Sequence, residues 1–145
     1  MLYFDTSFLI PLVLEEPTSA QIEQFMQSRA DDELGASHWT RAEISSALAR
    51  TVRMGLLDED SALEADSKLD EVLSNSFTLL LPDLEDFELC KRYLSHYESG
   101  LRAGDALHLA IANNRGATAI YSLDKKLSEA GRRFGLRVNV GIHVG

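Results

Sequence analysis

Short apolar runs alternate along this chain with longer segments in which apolar residues recur every three or four positions. Short continuous runs are typical of buried β-strands, and the longer period is typical of amphipathic helices. The runs predict strands at residues 2–5, 34–37, 77–81, 118–123 and 136–140. The periodic segments predict helices around Phe8 to Val13, at 18–29, at 40–54, from 58 onward, from 83 to a break at Ser99-Gly100, at 103–114 and at 124–134.

The predicted helices have recognisable start and stop signals. Gly55 ends the 40–54 helix, since glycine readily adopts the left-handed conformation that closes a helix. Asp58-Glu59-Asp60 opens the next helix, where acidic side chains suit the positive end of the dipole. The acids of 83–88 open a further helix after Pro82, and residues 83–86 are interpreted as an exposed polar run. That helix carries the apolar residues Phe87, Cys90, Leu94 and Tyr97.

Strands that alternate with helices predict an α/β fold in a single domain, residues 1–145. We expect a largely parallel central sheet of four to five strands flanked by about seven helices. In such sheets, ligands bind beyond the carboxyl ends of the strands. Asp5 and Asp124 each end a predicted strand, so both are expected at that edge.

Composition is that of a globular protein, with 45% apolar and 26% charged residues among 145. The single cysteine, Cys90, excludes an internal disulfide and a Cys-based zinc site, and we interpret it as a buried structural thiol. The longest apolar run, Phe8 to Leu14, has seven residues, whereas a membrane helix needs about 20. We therefore expect a cytoplasmic protein without membrane association.

The net charge of −9 is unevenly distributed along the chain. Residues 1–114 hold 8 basic and 21 acidic side chains, a balance of −13, and residues 115–145 hold 6 and 2, a balance of +4. The basic set at the end is Arg115, Lys125, Lys126, Arg132, Arg133 and Arg137. It forms either a solvated helix face or a local phosphate-binding edge on an acidic body.

Four acidic residues stand beside apolar segments rather than in polar runs. They are Asp5, Glu43, Asp105 and Asp124. A carboxylate beside a core is unfavourable unless its charge is compensated. Four of them, far apart in sequence, point to one shared divalent cation. Hard oxygen ligands suit Mg²⁺ or Mn²⁺, and no His and Cys set competes for the role.

Each of these acids also has a purely structural interpretation. Asp5 and Asp124 fit caps of the helices that follow them. Glu43 fits a capping box, in which its side chain reaches back to the backbone N–H of Thr40. Asp105 lies in the first turn of its helix, where the dipole favours an acid. Convergence of the four in space decides between the two interpretations.

Four segments, spread over the whole chain, carry a resemblance to a known family. They are 3–10 (YFDTSFLI), 40–44 (TRAEI), 103–110 (AGDALHLA) and 120–127 (IYSLDKKL). In their order and spacing the chain resembles the PIN-domain ribonucleases, of the kind found as VapC-type toxins in toxin–antitoxin pairs.

The resemblance implies a metal-dependent endoribonuclease that hydrolyses RNA phosphodiester bonds and serves as a toxin. The family's acidic quartet falls on Asp5, Glu43, Asp105 and Asp124. Our hypothesis is that Asp5 and Asp105 bind Mg²⁺ or Mn²⁺, with Asp124 binding through water or holding a second ion. Glu43 orients or deprotonates the attacking water, while Thr6 and Ser122 hydrogen-bond to the acids.

The resemblance also implies partners: RNA, a small antitoxin protein and a second copy of the chain. A homodimer would use the helices around residues 20–30 and 40–73. Two alternatives stay open, a non-catalytic protein-binding module and a metal-dependent DNA nuclease.

Three other side chains each have two interpretations. Trp39 stacks on a base or packs at the edge of the core. Arg102 contacts a phosphate or forms a surface ion pair, and His108 forms a local hydrogen bond with Asp105 or acts in catalysis.

Overall fold

The computed structural model describes residues 1–143 of the chain. Within them, five strands are present: β1 (Leu2–Phe4), β2 (Leu34–Ser37), β3 (Thr78–Leu80), β4 (Ala119–Tyr121) and β5 (Val138–Asn139). The α-helices of the same residues are α1 (Thr6–Leu9), α2 (Ser19–Ser28), α3 (His38–Arg53), α4 (Glu59–Ser76), α5 (Leu84–Leu94), α6 (Ala103–Asn114) and α7 (Lys125–Arg133). Two 3₁₀ turns, Ile10–Leu12 and Tyr97–Ser99, follow α1 and α5.

The strands form one parallel sheet in the order β3-β2-β1-β4-β5. In the centre, Leu2 pairs with Leu34 of β2 on one side and with Ala119 of β4 on the other. The sheet and its helices confirm the predicted α/β class. Four of the five strands are shorter than their apolar runs, and β2 alone keeps the predicted bounds. After β4, for example, residues 122–124 leave the ladder and lead into α7.

Helices cover both faces of the sheet and create two cores. Successive strand residues point to opposite faces, so the fully buried Phe4 and Tyr3 of β1 belong to different cores. Phe4 packs in the first core with residues of α2, α3 and α4, namely Ile22, Ile44 and Leu69. Tyr3 packs in the second core with residues of α5, α6 and α7, namely Cys90, Leu109 and Leu127.

Cys90 is the buried thiol that the sequence predicts. Its side chain is 6% exposed, and burial raises the pKa of the thiol above its ordinary value. A thiol held in its protonated form is a weak nucleophile. Cys90 therefore contributes packing to the second core.

The sequence prediction is wrong at β3 and along α5. β3 pairs only with β2 at the edge of the sheet, and Thr78 is exposed, so this is not a fully buried strand. α5 turns a different face inward: Asp86, Cys90 and Tyr93 are buried, whereas Phe87 is 50% exposed. Tyr97 lies beyond the helix and is 89% exposed.

Asp86 explains why α5 adopts this orientation. Its carboxylate is fully buried and accepts hydrogen bonds from the Asp83 backbone N–H (2.9 Å), the Asn114 amide (2.9 Å) and the Arg115 guanidinium (3.0 and 3.1 Å). The sequence places Asp86 in an exposed polar run, and that expectation is wrong. A buried carboxylate persists when it is paired and hydrogen-bonded in this way.

The basic residues at the end of the chain do not form one edge. Arg115 pairs with Asp86 at the C-terminal end of α6. Lys125 and Lys126 lie in the first turn of α7, and Arg132 and Arg133 in its last turn. Lys125 and Lys126 directly follow Asp124 in the sequence.

Among residues 1–143, none of the helices combines the length and the apolar character that crossing a membrane requires.

Candidate active site

The acidic residues gather at the carboxyl edge of the sheet. Asp5 follows β1, and Asp124 lies shortly after its neighbour β4. α3 begins directly after β2, on the other side of β1, and carries Glu43 in its second turn. α6 places Asp105 in its first turn, next to the residue that contacts Glu43. Helix starts and strand ends thus meet at one edge, which is where parallel α/β sheets bind ligands.

Asp5 is a buried carboxylate, only 2% exposed. Its Oδ1 accepts hydrogen bonds from the Phe8 backbone N–H (3.1 Å) and the Ser7 hydroxyl (2.7 Å), and its Oδ2 accepts one from the Ser122 hydroxyl (2.5 Å). The bond from Phe8 makes Asp5 the N-cap of α1, as one interpretation predicts. Burial raises the pKa of Asp5 even though these three donors oppose the shift.

Ser122 connects the first and last acids. Its hydroxyl donates to Asp5 and accepts the backbone N–H of Asp124 at 3.0 Å. Asp124 in turn caps α7, because its Oδ1 accepts the Leu127 N–H at 3.0 Å. A cap occupies one lone pair of one oxygen, so the caps of Asp5 and Asp124 leave acceptor capacity on both carboxylates.

Glu43 does not form the capping box that its sequence context predicts. α3 begins at His38 and is capped by Ser37, whose hydroxyl accepts the Trp39 N–H at 3.0 Å. Thr40 is therefore inside the helix and Glu43 is free to face the acidic edge. Its Oε1 accepts a bond from the Thr6 hydroxyl at 2.6 Å, which ties Glu43 to the residue after Asp5.

Gly104 lets α6 approach Glu43. A Cβ atom at this position would lie 2.9 Å from Glu43 Oε2 and 3.3 Å from Trp39 Nε1. Any larger residue would have to displace one of those side chains. Gly104, directly before Asp105, thus allows the start of α6 to lie close to α3.

The pKa of Asp105 is shifted by its burial and by the other acids. Burial and then the negative charges of Asp124, Asp5 and Glu43 raise its pKa to about 6, against an opposing effect of His108. A carboxylate whose neighbours are carboxylates holds its proton more tightly. Asp5, Glu43 and Asp124 therefore lie near enough to Asp105 to act on its carboxyl group.

The donor set fits a hard divalent cation by its chemistry. Every candidate ligand is a carboxylate oxygen, the type that Mg²⁺ and Mn²⁺ prefer. Among residues 1–143, no group of three or more His, Cys, Asp or Glu side chains is already positioned to hold an ion. Uncompensated carboxylates repel each other, and Mg²⁺ usually takes only one or two of them directly and keeps several waters. A bound cation would offset the repulsion between carboxylates that helps to raise the pKa of Asp105.

Replacement of Asp105 by asparagine is expected to stabilise the metal-free protein at pH 7. The folded pKa of about 6 lies above the unfolded value of about 3.9. Ionisation of Asp105 therefore lowers the free energy of unfolding as pH rises from about 4 to about 6. Because the side chain is partly exposed, we expect D105N to gain about 1 kcal/mol, or about 2–4 °C in Tm, at pH 7.

The gain of D105N should vanish at about pH 3, below the unfolded value of about 3.9, where the wild-type side chain is mostly protonated in both states. Thermal unfolding in EDTA at the two pH values measures it. Glu88→Gln, at an exposed position on α5, is the matched control and should show no such difference. Equal effects of D105N at about pH 3 and at pH 7 would contradict the electrostatic coupling.

His108 is the functional-site residue that sequence reasoning placed incorrectly. Its ring does not form the expected local hydrogen bond with Asp105. Its Nδ1 is 2.7 Å from the Tyr3 hydroxyl, and its Nε2 is 2.5 Å from Glu43 Oε1 and 3.1 Å from the Thr6 hydroxyl. The helical position of His108, three residues after Asp105, gave no signal for partners on β1 and α3.

An open cavity of about 830 Å³ lies beside Glu43. Thr6, Trp39, Arg50 and Arg102 are among its lining residues. Trp39 is half-buried and packs against the second core, consistent with a core-edge position whose ring also borders the cavity. Arg102 is exposed and, within residues 1–143, forms no ion pair, so the expected surface pair is not observed there.

Comparison with known proteins gives a family match over almost the whole chain. The PIN domain family model matches residues 2–133. No curated protein sequence shows significant similarity to the chain.

Several solved structures share the fold. VapC20 of Mycobacterium tuberculosis, described as a Sarcin-Ricin loop cleaving toxin, has a TM-score of 0.73 at 20% identity and covers 90% of this chain and 95% of its own. VapBC2 of Rickettsia felis, bound to a DNA fragment from its promoter, has a TM-score of 0.72 at 15% identity, with 96% and 98% covered. PAE2754 of Pyrobaculum aerophilum has a TM-score of 0.66 at 25% identity, with 96% and 83% covered.

Proposed function

The chain belongs to the PIN domain family, and on that premise we propose that it is a metal-dependent endoribonuclease, the toxin of a toxin–antitoxin pair. The observation that carries the proposal is the acidic edge itself. Its four carboxylates come from four separate elements, and three of them raise the pKa of the fourth, Asp105. A protein maintains such mutual repulsion where a positively charged ligand belongs.

Asp5, Asp105 and Asp124 are the residues that would hold Mg²⁺ or Mn²⁺. When bound, such an ion neutralises phosphate charge and lowers the pKa of a bound water. Ser122 donates to Asp5 and accepts from the Asp124 backbone, so it fixes the orientation of one proposed ligand and the start of the segment that carries another. Hydrogen-bonded partners of this kind hold ligands in the geometry that a metal requires.

Glu43 is proposed to orient or deprotonate the attacking water. Its pKa is lowered overall: burial alone would raise it, but the bonds from His108 and Thr6 outweigh that effect. A carboxylate that stays ionised at neutral pH can accept a proton from a neighbouring water. Its Oε2, which has no hydrogen-bond partner among residues 1–143, is the oxygen available for that water.

The cavity beside Glu43 supports RNA as the substrate. Arg50 and Arg102 line this cavity together with Glu43 of the acidic edge, although the chain as a whole carries a net charge of −9. Guanidinium groups bind phosphate oxygens of a strand whose scissile bond lies at the acids. VapC20, with the same fold, is described as cleaving the Sarcin-Ricin loop.

Replacement of Arg102 by alanine is expected to raise KM for RNA several-fold and leave kcat nearly unchanged. Loss of one phosphate contact weakens binding and reduces the slope of log K against log[salt] by about one. Arg53→Ala is the control, since Arg53 is an exposed arginine of α3 that does not line the cavity. An unchanged KM and salt slope in R102A would remove Arg102 from the substrate path.

The direct test of the proposed function compares cleavage of RNA and DNA oligonucleotides of the same sequence. We expect cleavage of RNA with Mg²⁺ or Mn²⁺, none in EDTA, and little cleavage of DNA. Preferential cleavage of DNA would indicate the DNA nuclease alternative. No cleavage of any nucleic acid, combined with tight binding of a protein partner, would indicate the non-catalytic module. Mapping of 5′ ends in cellular RNA after induced expression then identifies the target.

A small antitoxin and a second copy of the chain are the proposed protein partners. An acidic edge on an acidic body attracts a basic side chain from a partner. Both VapB and VapC are named in the Rickettsia felis structure bound to promoter DNA. Size-exclusion chromatography with light scattering, for the chain alone and with the product of a neighbouring reading frame, tests both assemblies, and a strict monomer would exclude the homodimer.

A further inference from the structure

A chain of hydrogen bonds runs behind the acidic edge, from the second core to Glu43. Tyr3 and His108 are both essentially buried, at 0% and 1% exposure. The Tyr3 hydroxyl bonds His108 Nδ1 at 2.7 Å, and His108 Nε2 bonds Glu43 Oε1 at 2.5 Å. These hydrogen bonds join β1, α6 and α3. Tyr3 and His108 are 105 positions apart in the sequence, and His108 and Glu43 are 65 positions apart.

The chemistry of the partners determines which ring nitrogen carries a proton. An ionised carboxylate only accepts hydrogen bonds, so the contact with Glu43 requires an N–H on Nε2. Burial, and then the negative charges of Asp5 and Glu43, raise the pKa of the Tyr3 phenol well above its ordinary value, so it keeps its proton and can donate it to Nδ1. If the ring were doubly protonated, Nδ1–H would instead donate to the Tyr3 oxygen. Nε2 donates to Glu43 in both cases.

The two oxygens of Glu43 consequently differ. Oε1 accepts from His108 and from the Thr6 hydroxyl at 2.6 Å. Oε2 lies near Gly104 and has no hydrogen-bond partner among the described residues 1–143. Two donors on one oxygen fix the rotation of the carboxylate and leave the other oxygen beside Gly104 of α6.

We propose that His108 is a positioning residue of the active site, which holds Glu43 through an Nε2–H donor and is itself oriented by the hydroxyl of Tyr3. The kinetic consequence rests on the proposed nuclease function, whereas the proton position does not. His108 acts through Glu43 and does not touch the substrate. The arrangement matches the general pattern in which a buried partner fixes the tautomer of a histidine at a functional site.

The first test reads the proton on the ring without any assay of activity. The variant H38Q/H96Q/H143Q leaves His108 as the single histidine of the chain. Long-range ¹H–¹⁵N correlation spectra of this metal-free protein then report the protonation of each ring nitrogen. The proposal predicts a proton on Nε2. A ring with Nδ1 protonated and Nε2 bare would overturn it, whether or not the protein cleaves RNA.

The second test separates positioning from folding through kcat and KM. His108→Leu should lower kcat by roughly 10- to 100-fold with KM nearly unchanged. His108→Gln, whose amide can replace the Nε2 donor, should recover most of that loss. Tyr3→Phe should cause a smaller loss, below about tenfold. Tyr93→Phe, which removes a tyrosine hydroxyl outside this network, should have no effect.

Thermal unfolding establishes that each variant is folded before its kinetics are compared. Wild-type kcat in folded H108L, or equal impairment of folded H108L and H108Q, would overturn the positioning role. Absence of cleavage by the wild-type protein would contradict the proposed function instead, and the ring spectrum would still decide the place of the proton. The two failures are therefore distinguishable.

Discussion

Replacement of Asp5 by asparagine is expected to reduce RNA cleavage by more than about 100-fold while the protein stays folded. Changes to residues that only support a metal ligand cost about 10- to 100-fold, and Asp5 is proposed as a ligand itself. Asparagine keeps the size of the side chain and one carbonyl oxygen. It removes the negative charge that a divalent cation requires.

The surroundings of Asp5 make asparagine a clean substitution. The amide oxygen can still accept from the Phe8 N–H and the Ser7 hydroxyl, which both bond Oδ1. The new amide N–H₂ can donate to Ser122, because a hydroxyl both donates and accepts. Removal of a carboxylate whose burial raises its pKa should leave the stability equal or higher. Loss of activity in D5N would therefore be a chemical effect.

Cleavage of RNA in the presence of Mn²⁺, together with a thermal unfolding curve, measures this prediction. Asp31→Asn, at an exposed position after α2, is the matched control and should keep wild-type activity. Undiminished cleavage by D5N would contradict the assignment of Asp5 to the metal site.

Replacement of Asp86 by alanine is expected to destabilise the protein by roughly 3–5 kcal/mol. The substitution leaves Arg115 and Asn114 without their buried partner and removes the acceptor for the Asp83 N–H. Arg115 keeps its contacts with the Leu81 carbonyl (3.1 Å) and Asp83 (3.4 Å) but loses its buried carboxylate partner. Loss of a buried partner costs far more than loss of a surface contact. Since domains of this kind are stable by only about 5–15 kcal/mol, D86A should be markedly easier to unfold.

The matched control for Asp86 is an ion pair on the surface. Arg41 and Asp70 are 2.9 Å apart, but their side chains are 47% and 52% exposed. Asp70→Ala should cost less than about 1 kcal/mol, because solvent screens exposed pairs. Urea unfolding of both variants at pH 7 measures the contrast. Equal effects of D86A and D70A would show that burial does not determine the strength of the Asp86 cluster.

The contribution of Asp86 should also depend on pH. Burial alone would raise its pKa, but the Asp83 N–H, Asn114 and Arg115 outweigh that effect and hold the pKa below its ordinary value. A carboxyl with a lowered folded pKa stabilises the protein above the unfolded pKa. That contribution disappears as pH falls through the folded value. The difference between wild type and D86A should therefore shrink on acidification below about pH 4.

The place of the site could be predicted from sequence because it follows from topology. Asp5 ends the apolar run of β1, and Asp124 follows that of β4. In a parallel sheet such positions meet at one edge. Glu43 and Asp105 stood out as acids beside apolar helical segments, and the resemblance of the motifs grouped them with Asp5 and Asp124. Pattern and family resemblance were thus sufficient for the fold and for the location of the acidic edge.

The contacts of the site could not be predicted, because they depend on packing between distant elements. Glu43 fitted a capping box with Thr40 until the start of α3 at His38 excluded it. His108 seemed from its spacing a partner of Asp105, yet it bonds Tyr3 and Glu43. Helix spacing identifies residues on a shared face and carries no information about which other element lies against that face.

The buried charge of Asp86 was missed for a related reason. Its neighbours Asp83 and Glu85 are exposed and polar, so the local sequence is typical of a solvated helix start. Its partner Arg115 lies 29 residues away, at the end of α6 opposite to Asp105. Only the antiparallel contact of α5 and α6 brings the pair together and turns Phe87 outward.

The central claim, that four acids from separate elements share one divalent-metal site, is tested most directly by anomalous diffraction from crystals soaked in Mn²⁺. We predict an anomalous peak at the carboxyl edge, within ligand distance of the Asp5 and Asp105 oxygens. D5N crystals treated identically should show no such peak. A wild-type crystal of active protein with full Mn²⁺ occupancy elsewhere and none at this edge would contradict it.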